Sequence, residues 1–135
     1  MRALVVTGIL VACRHPAPPA PPPAQRAVAS WDDAAGSWAT FDDLDFGYVL
    51  QLGPGDFLLT VNRGKLGTCT VHAKPILGAQ PPNFELEVAL DDCHRDRHPG
   101  PLLVAFPSFT ADQLVVEITD GADVTRRTYS RRSVQ

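Results

Sequence analysis

The chain has 135 residues, of which 44% are hydrophobic and 20% charged, as in a globular protein with room for one domain. The first 26 residues hold three arginines and no acid, so residues 27–135 carry 9 Lys and Arg against 15 Asp and Glu, a net charge of −6. An acidic domain is poorly suited to a nucleic-acid backbone, and we exclude nucleic acid as a partner.

The chain begins with an apolar run that ends at a cysteine. Residues 3–12 follow a single Arg2 and are too few to span a bilayer, but they have the length of the apolar core of a secretory signal. Leu10–Cys13 (LVAC) resembles the lipobox of bacterial lipoproteins. The resemblance implies that residues 1–12 are a signal peptide and that Cys13 becomes a lipidated first residue, held in the membrane by acyl chains such as palmitate.

The residue that follows Cys13 indicates which membrane of the envelope holds the protein. In lipoproteins of this kind, an aspartate at that position retains many proteins in the inner membrane. Arg14 stands there instead, which favours the outer membrane of a bacterial cell envelope. The alternative interpretation is an ordinary secretory signal with an incidental cysteine, or a wrongly assigned start.

A proline-rich stretch follows the cysteine. Residues 15–25 read HPAPPAPPPAQ, with six prolines between positions 16 and 23. Proline lacks an N–H and fixes φ, so the stretch favours extended polyproline II and cannot join a sheet. At about 3.1 Å per residue it reaches ~30–35 Å. We predict that residues 13–30 are a lipid-anchored linker and that residues 31–135 form the domain; a docking ligand for an aromatic groove is the alternative.

Short segments of alternating apolar and polar residues, separated by turn residues, fill the domain. This pattern predicts β-strands, and a helix is expected only near residues 31–35. The predicted strands are Gly36–Phe41, Tyr48–Leu52, Phe57–Asn62, Thr68–Lys74, Phe84–Leu90, Pro101–Phe106, Gln113–Thr119 and Val124–Ser130. Because the connections are short, sequential strands should pair as an antiparallel meander, and closing the meander into a barrel removes its exposed edges.

The order of these strands is similar to that of small lipocalin-like domains found in bacterial lipoproteins. The resemblance rests on a Y-x-L-x-L strand, an F-x-L-x-V strand, a D-x-L-x-V-x-I strand and a terminal hairpin, and Gly36-Ser37-Trp38 approximates the G-x-W signature of lipocalins. The residues that carry it are Tyr48, Leu50, Leu52, Phe57, Leu59, Val61, Asp112, Leu114, Val116, Ile118, Tyr129 and Arg131. It implies an all-β, lipocalin-like barrel of about eight strands; a seven-strand immunoglobulin-like sandwich is the alternative.

With Cys13 lipidated, Cys69 and Cys93 remain as a pair in an oxidising compartment, and we expect them to form a disulfide. The alternative is a metal site around Cys93, whose candidate ligands are Asp91, Asp92, His94, Asp96 and His98. A structural zinc site needs four organised ligands, and no C-x-x-C accompanies these residues. We therefore predict no metal and no cofactor.

Three aspartates, Asp42, Asp43 and Asp45, are spaced as in a calcium loop, but Pro54 stands where the loop would need its glutamate, so we interpret them as turn residues. The sequence has no G-x-S-x-G, H-E-x-x-H or glycine-rich phosphate loop. We therefore expect a monomeric protein that is not an enzyme.

Two functions remain open for a barrel of this size. Its interior is just wide enough to hold one small ligand or to be filled by side chains, so the first hypothesis is a membrane-anchored barrel that binds an apolar or amphipathic ligand. Its candidate ligand residues are Arg127, Tyr129 and Arg131, which would recognise an anionic headgroup. The second is a protein-interaction or inhibitor module of the envelope. Phe57, Phe84, Phe106 and Tyr129 are the large residues expected to fill the interior.

Overall fold

The computed structural model describes residues 16–21, 30–79, 81–93 and 100–133. Cys13 and the rest of the lipobox lie outside these residues, as do His94, Asp96 and His98. Residues 16–21 are exposed and have no regular secondary structure. Within the described ranges, no helix has the length and hydropathy needed to cross a membrane.

Eight antiparallel strands form one closed barrel in which each strand pairs with its neighbours in sequence and β8 returns to β1. Trp38 faces Arg131 and Ala39 faces Ser130 across this closing pair. The strands are β1 (Gly36–Phe41), β2 (Gly47–Gly53), β3 (Asp56–Asn62), β4 (Thr68–Pro75), β5 (Asn83–Asp91), β6 (Leu102–Phe109), β7 (Gln113–Asp120) and β8 (Asp123–Arg131). The all-β meander is therefore confirmed, it fits a small lipocalin-like barrel, and the immunoglobulin-like sandwich is excluded.

Helical structure in the described chain is limited to two 3-10 turns, Asp32–Ala34 before β1 and Gly64–Leu66 between β3 and β4. Two of the described hairpins have two-residue turns: β2–β3, where Gly53 faces Asp56, and β7–β8, where Asp120 faces Asp123. Gly55 in the β2–β3 turn has a φ of +65°, a value that residues with a Cβ rarely adopt. Glycine at position 55 thus permits the tight turn, which explains why the hairpin predicted from residues 48–62 forms.

One predicted inward residue was wrong. Period-two alternation from Phe84 through Leu86 and Val88 predicts Leu90 inside the barrel, yet half of its surface is exposed. The reason is a bulge: His72 pairs with Leu90 while the next residue, Ala73, pairs with Val88, so Ala89 is an extra residue on β5. An extra residue reverses the alternation of side chains beyond it, which turns Leu90 outward beside His72.

The interior of the barrel holds the hydrophobic core. Phe57, Phe84, Phe106 and Tyr129 are all buried, as predicted, and Trp38 is completely enclosed. Among the described residues, no polar or charged residue is buried as a whole. The core is therefore held by apolar packing and by the strand-to-strand hydrogen bonds that surround it.

Candidate functional site

The two ends of the barrel differ. One, which we call the closed end, is covered by residues 30–35 and by the connections that follow β2, β4 and β6. The Trp31 ring lies there 5.3 Å from the Phe84 ring and 5.6 Å from the Phe106 ring, measured between centroids, and its Nε1 donates to the Gly53 carbonyl at 2.7 Å. This aromatic cluster fills the closed end of the barrel interior.

The opposite end, the open end, lies where β1, β3, β5 and β7 finish. It contains a cavity of about 280 Å³. Apolar side chains supply most of its wall: Phe46, Tyr48, Phe57, Leu59, Val61, Val71, Leu102 and Ile118. Arg63, Asp91, Asp120, Asp123, Thr125 and Arg127 add polar groups. The barrel is thus filled at one end and hollow at the other.

A chain of polar contacts fixes one side of the cavity. The Tyr48 hydroxyl donates to Asp42 Oδ2 at 2.7 Å and accepts from Arg127 Nη2 at 3.3 Å. The Arg127 guanidinium carbon also lies 4.1 Å from the centre of the Tyr48 ring, within range of a cation–π contact. Both contacts place the Arg127 guanidinium against Tyr48 at the cavity wall.

The same contacts determine where the protons lie. The Tyr48 hydroxyl, followed by the backbone N–H groups of Phe46 and Leu44, lowers the pKa of Asp42. Burial, and then the hydrogen bond to Asp42, raises the pKa of Tyr48. The pair therefore consists of a neutral phenol donating to a carboxylate, and the phenol oxygen is free to accept from Arg127.

Arg63 provides a second cation at the cavity. Its Nε is buried and, of the buried side-chain nitrogen and oxygen atoms described, it is the one without a hydrogen-bond partner. A buried N–H that lacks an acceptor costs about 1–3 kcal/mol. A ligand oxygen or a water placed beside this atom would recover part of that cost.

The three predicted ligand residues do not lie together. Arg127 lines the cavity, whereas Tyr129 is buried below it and is not part of its wall. Burial raises the pKa of Tyr129 to about 12, so the phenol stays neutral. Arg131 lies at the closed end, where its guanidinium carbon is 4.2 Å from the Trp38 ring centre and its Nε donates to the Ala111 carbonyl at 2.8 Å.

Cys69 and Cys93 meet at the cavity wall. Their sulfur atoms are at bonding distance and their Cα atoms are 4.9 Å apart, which confirms the predicted pairing. Asp92 lies close to both sulfur atoms, and its carboxylate accepts a hydrogen bond from the Thr70 backbone N–H. Paired cysteines offer no thiolate, so this group does not form a metal site while the disulfide is intact.

The predicted turn role of Asp42 is confirmed. Its Oδ1 accepts from the backbone N–H groups of Leu44 and Phe46, at 2.9 Å each, and its own N–H donates to the Phe46 carbonyl. These bonds close the loop between β1 and β2 on itself. Asp43 and Asp45 are exposed in the same loop.

No known protein family, curated protein or solved structure matches this chain. The function is therefore inferred from the geometry of the site. The decisive feature of the site is a mostly apolar cavity with two arginines, Arg63 and Arg127, in its wall.

The sequence did not predict a role at the site for Arg63 or Tyr48. Arg63 continues the inward alternation of Phe57, Leu59 and Val61, but the strand was predicted to end at Asn62. Alternation with Leu50 and Leu52 predicts Tyr48 on the inward face of its strand, but nothing in the sequence pairs it with Arg127, which is 79 residues away. Extending the period-two pattern by one more step would have found Arg63.

Proposed function

We propose that this chain is a lipid-anchored protein of the bacterial envelope whose barrel binds one small amphipathic molecule through its open end. The observation that supports the proposal is the cavity of about 280 Å³, apolar on most of its wall and polar at its mouth. Concave apolar sites with a few polar groups are the usual form of small-molecule sites. The cavity is near the lower limit of such sites, so the ligand is small.

The volume limits the size of the ligand. At ~30 Å³ for each water-sized group, the cavity has room for about nine heavy atoms. A straight chain of eight carbons with one polar atom matches this size. Burying such a chain contributes about 6 kcal/mol, which alone would correspond to a dissociation constant of ~40 μM. The cost of association makes the expected affinity weaker than this.

The charges at the mouth select the head of the ligand. Arg63 and Arg127 oppose a cationic head, while Asp91, Asp120 and Asp123 oppose an anionic one. A neutral head that accepts a hydrogen bond meets neither repulsion and can accept from Arg63 Nε. We therefore no longer favour the anionic headgroup expected from the sequence, since Tyr129 and Arg131 are not part of the cavity wall.

Binding of 1-octanol tests the cavity. We expect 1-octanol to bind more tightly than octanoate or octylamine, as measured by isothermal titration calorimetry on the full chain. Val71→Phe places a larger side chain in the cavity and should weaken octanol binding at least about tenfold, because the chain loses its apolar contacts.

The matched control is Val115→Phe, the same change at a partly exposed position on β7 that does not line the cavity. It should leave the octanol affinity unchanged. Equal affinity of the parent chain and Val71→Phe would contradict the proposed site. Tighter binding of octylamine or octanoate than of octanol would contradict the neutral head while leaving the cavity in place.

The lipid anchor is the second part of the proposal. It is supported by the Leu10–Cys13 pattern and by the proline-rich residues 15–25, a composition suited to a spacer between lipid and domain. Cells should contain a chain that begins at Cys13 and carries acyl groups on it, as measured by intact mass, and Cys13→Ser should carry none. A parent chain that retains Met1 and has no acyl mass would contradict the anchor.

A further inference from the structure

Large apolar side chains are exposed around the open end, outside the cavity. Phe41 is 74% exposed, Leu44 and Leu66 are each 72% exposed, and Val124 is 60% exposed. Phe41 and Val124 lie at the open-end tips of β1 and β8, and Leu44 and Leu66 lie in the β1–β2 and β3–β4 connections. These positions neighbour one another, because β8 pairs with β1 and β2 pairs with both β1 and β3. We call these four residues the apolar rim.

Gly47 leaves space for the ring of Phe41. The ring lies 3.4 Å from the point where a Cβ would stand on Gly47, the residue opposite it on β2. The absence of a side chain at Gly47 makes room for the ring on the outer surface. Exposed aromatic side chains often dominate interfaces, because each offers a large apolar area with few rotatable bonds.

Negative charge surrounds the apolar rim. Segments 42–46, 63–67, 91–93 and 120–123 at this end hold seven aspartates against Arg63 and Lys65, and Arg127 in the cavity wall adds a third cation, so the net charge is −4. The sequence of residues 94–99 adds Arg95, Asp96 and Arg97, which leaves −3. Each charge acts on partner groups within about one Debye length, ~8–10 Å at physiological salt, so a partner docked on this end meets several of these charges at once.

We propose that the apolar rim and its aspartates form a docking surface for a partner protein that presents a basic patch with apolar side chains. The charge favours a basic protein over the other possible occupants. An anionic bilayer and the same end of a second copy both carry negative charge and would be repelled. This inference is independent of what fills the cavity and goes beyond the proposed ligand binding.

Three synthetic peptides of equal length test the chemistry of the surface. The first combines Lys with Leu, the second replaces each Lys by Glu, and the third replaces each Leu by Ser. We expect the Lys/Leu peptide to bind the full chain at least about tenfold more tightly than either of the others, measured by fluorescence anisotropy. Raising the salt from about 20 mM to about 300 mM should weaken its binding about tenfold.

Variants then locate the surface. Asp43→Asn with Asp45→Asn should weaken Lys/Leu peptide binding about fivefold, and Leu44→Ser with Leu66→Ser about tenfold, since all four residues are exposed and their replacement leaves the core intact. The matched controls are Asp112→Asn and Leu77→Ser, exposed residues at the closed end. They should change binding less than about twofold.

Three results would overturn the proposal. If the Glu/Leu peptide binds as tightly as the Lys/Leu peptide, charge does not determine binding. If the closed-end controls weaken binding as much as the open-end variants, the peptide does not dock on the apolar rim. Sedimentation with vesicles of phosphatidylcholine and phosphatidylglycerol that depends on Leu44 and Leu66 assigns the surface to a membrane instead. Thermal unfolding followed by circular dichroism checks that every variant is folded.

Discussion

Replacing Trp38 by alanine is expected to lower the free energy of unfolding by about 4 kcal/mol, the largest effect of any single change that we predict. The side chain is fully buried, its Nε1 donates to the Ala34 carbonyl at 2.9 Å, and its ring packs edge-on against Phe109. The Arg131 guanidinium covers it from the last strand. Urea denaturation at neutral pH measures the loss.

Two further variants separate the contributions at this position. Trp38→Phe keeps part of the packing and should cost about 2 kcal/mol, whereas Phe41→Ala, at an exposed aromatic residue on the same strand, should cost less than about 1 kcal/mol. A loss below 1 kcal/mol for Trp38→Ala would contradict the view that the closed end supports the barrel. Under conditions where Trp38→Ala is folded, its octanol affinity should match that of the parent chain.

The second large effect is expected from the disulfide. Cys69→Ala with Cys93→Ala should lower the free energy of unfolding by about 3 kcal/mol, because the unfolded chain regains the freedom of the loop that the bond closes across a sequence separation of 24. Urea denaturation with and without a reductant measures the effect.

The reductant supplies the internal control. It should destabilise the parent chain by nearly the same amount and leave the double alanine variant unchanged. If the reductant lowers the stability of both proteins equally, the loss comes from something other than this bond. Since both cysteines line the cavity, the double variant should also bind octanol more weakly than the parent.

The barrel could be predicted from the sequence because its turns and alternation are local. Pro54 and Gly55 specify a tight reversal, and the flanking residues alternate with period two, so each strand and its neighbour follow from a few adjacent residues. Leu90 could not be placed, because its direction depends on the extra residue Ala89, and a bulge is set by pairing between strands.

The predicted ligand residues show a second limit. Arg127, Tyr129 and Arg131 share the inward face of β8, which the alternation predicts correctly. Each two-residue step along a strand covers about 6.6 Å, so Arg127 and Arg131 lie ~13 Å apart along β8. The alternation of a strand predicts whether a side chain points into or out of the barrel. Whether an inward side chain reaches the cavity depends on its position along the strand and on which end of the barrel is filled.

The closed end explains one sequence motif that resembled a family signature. Gly36 has a φ of +133°, and a Cβ built on it would lie 2.8 Å from Arg131 Nη1. Glycine two residues before Trp38 therefore leaves room for the arginine that covers the indole. The Gly36-Ser37-Trp38 motif and Arg131 act together, and their role here is packing at the end opposite the cavity.

A titration of the 15N-labelled chain with 1-octanol, followed by amide chemical shifts, tests the central claim most directly. We expect the changes to concentrate at the open end, on Leu59, Val71, Ile118 and Arg127, and to saturate with one octanol per chain. Tyr48 and Arg63 should shift as the head group approaches. Shifts centred on Trp31 and Phe84 at the closed end, or no saturable shifts at all, would contradict a binding site in the open-end cavity.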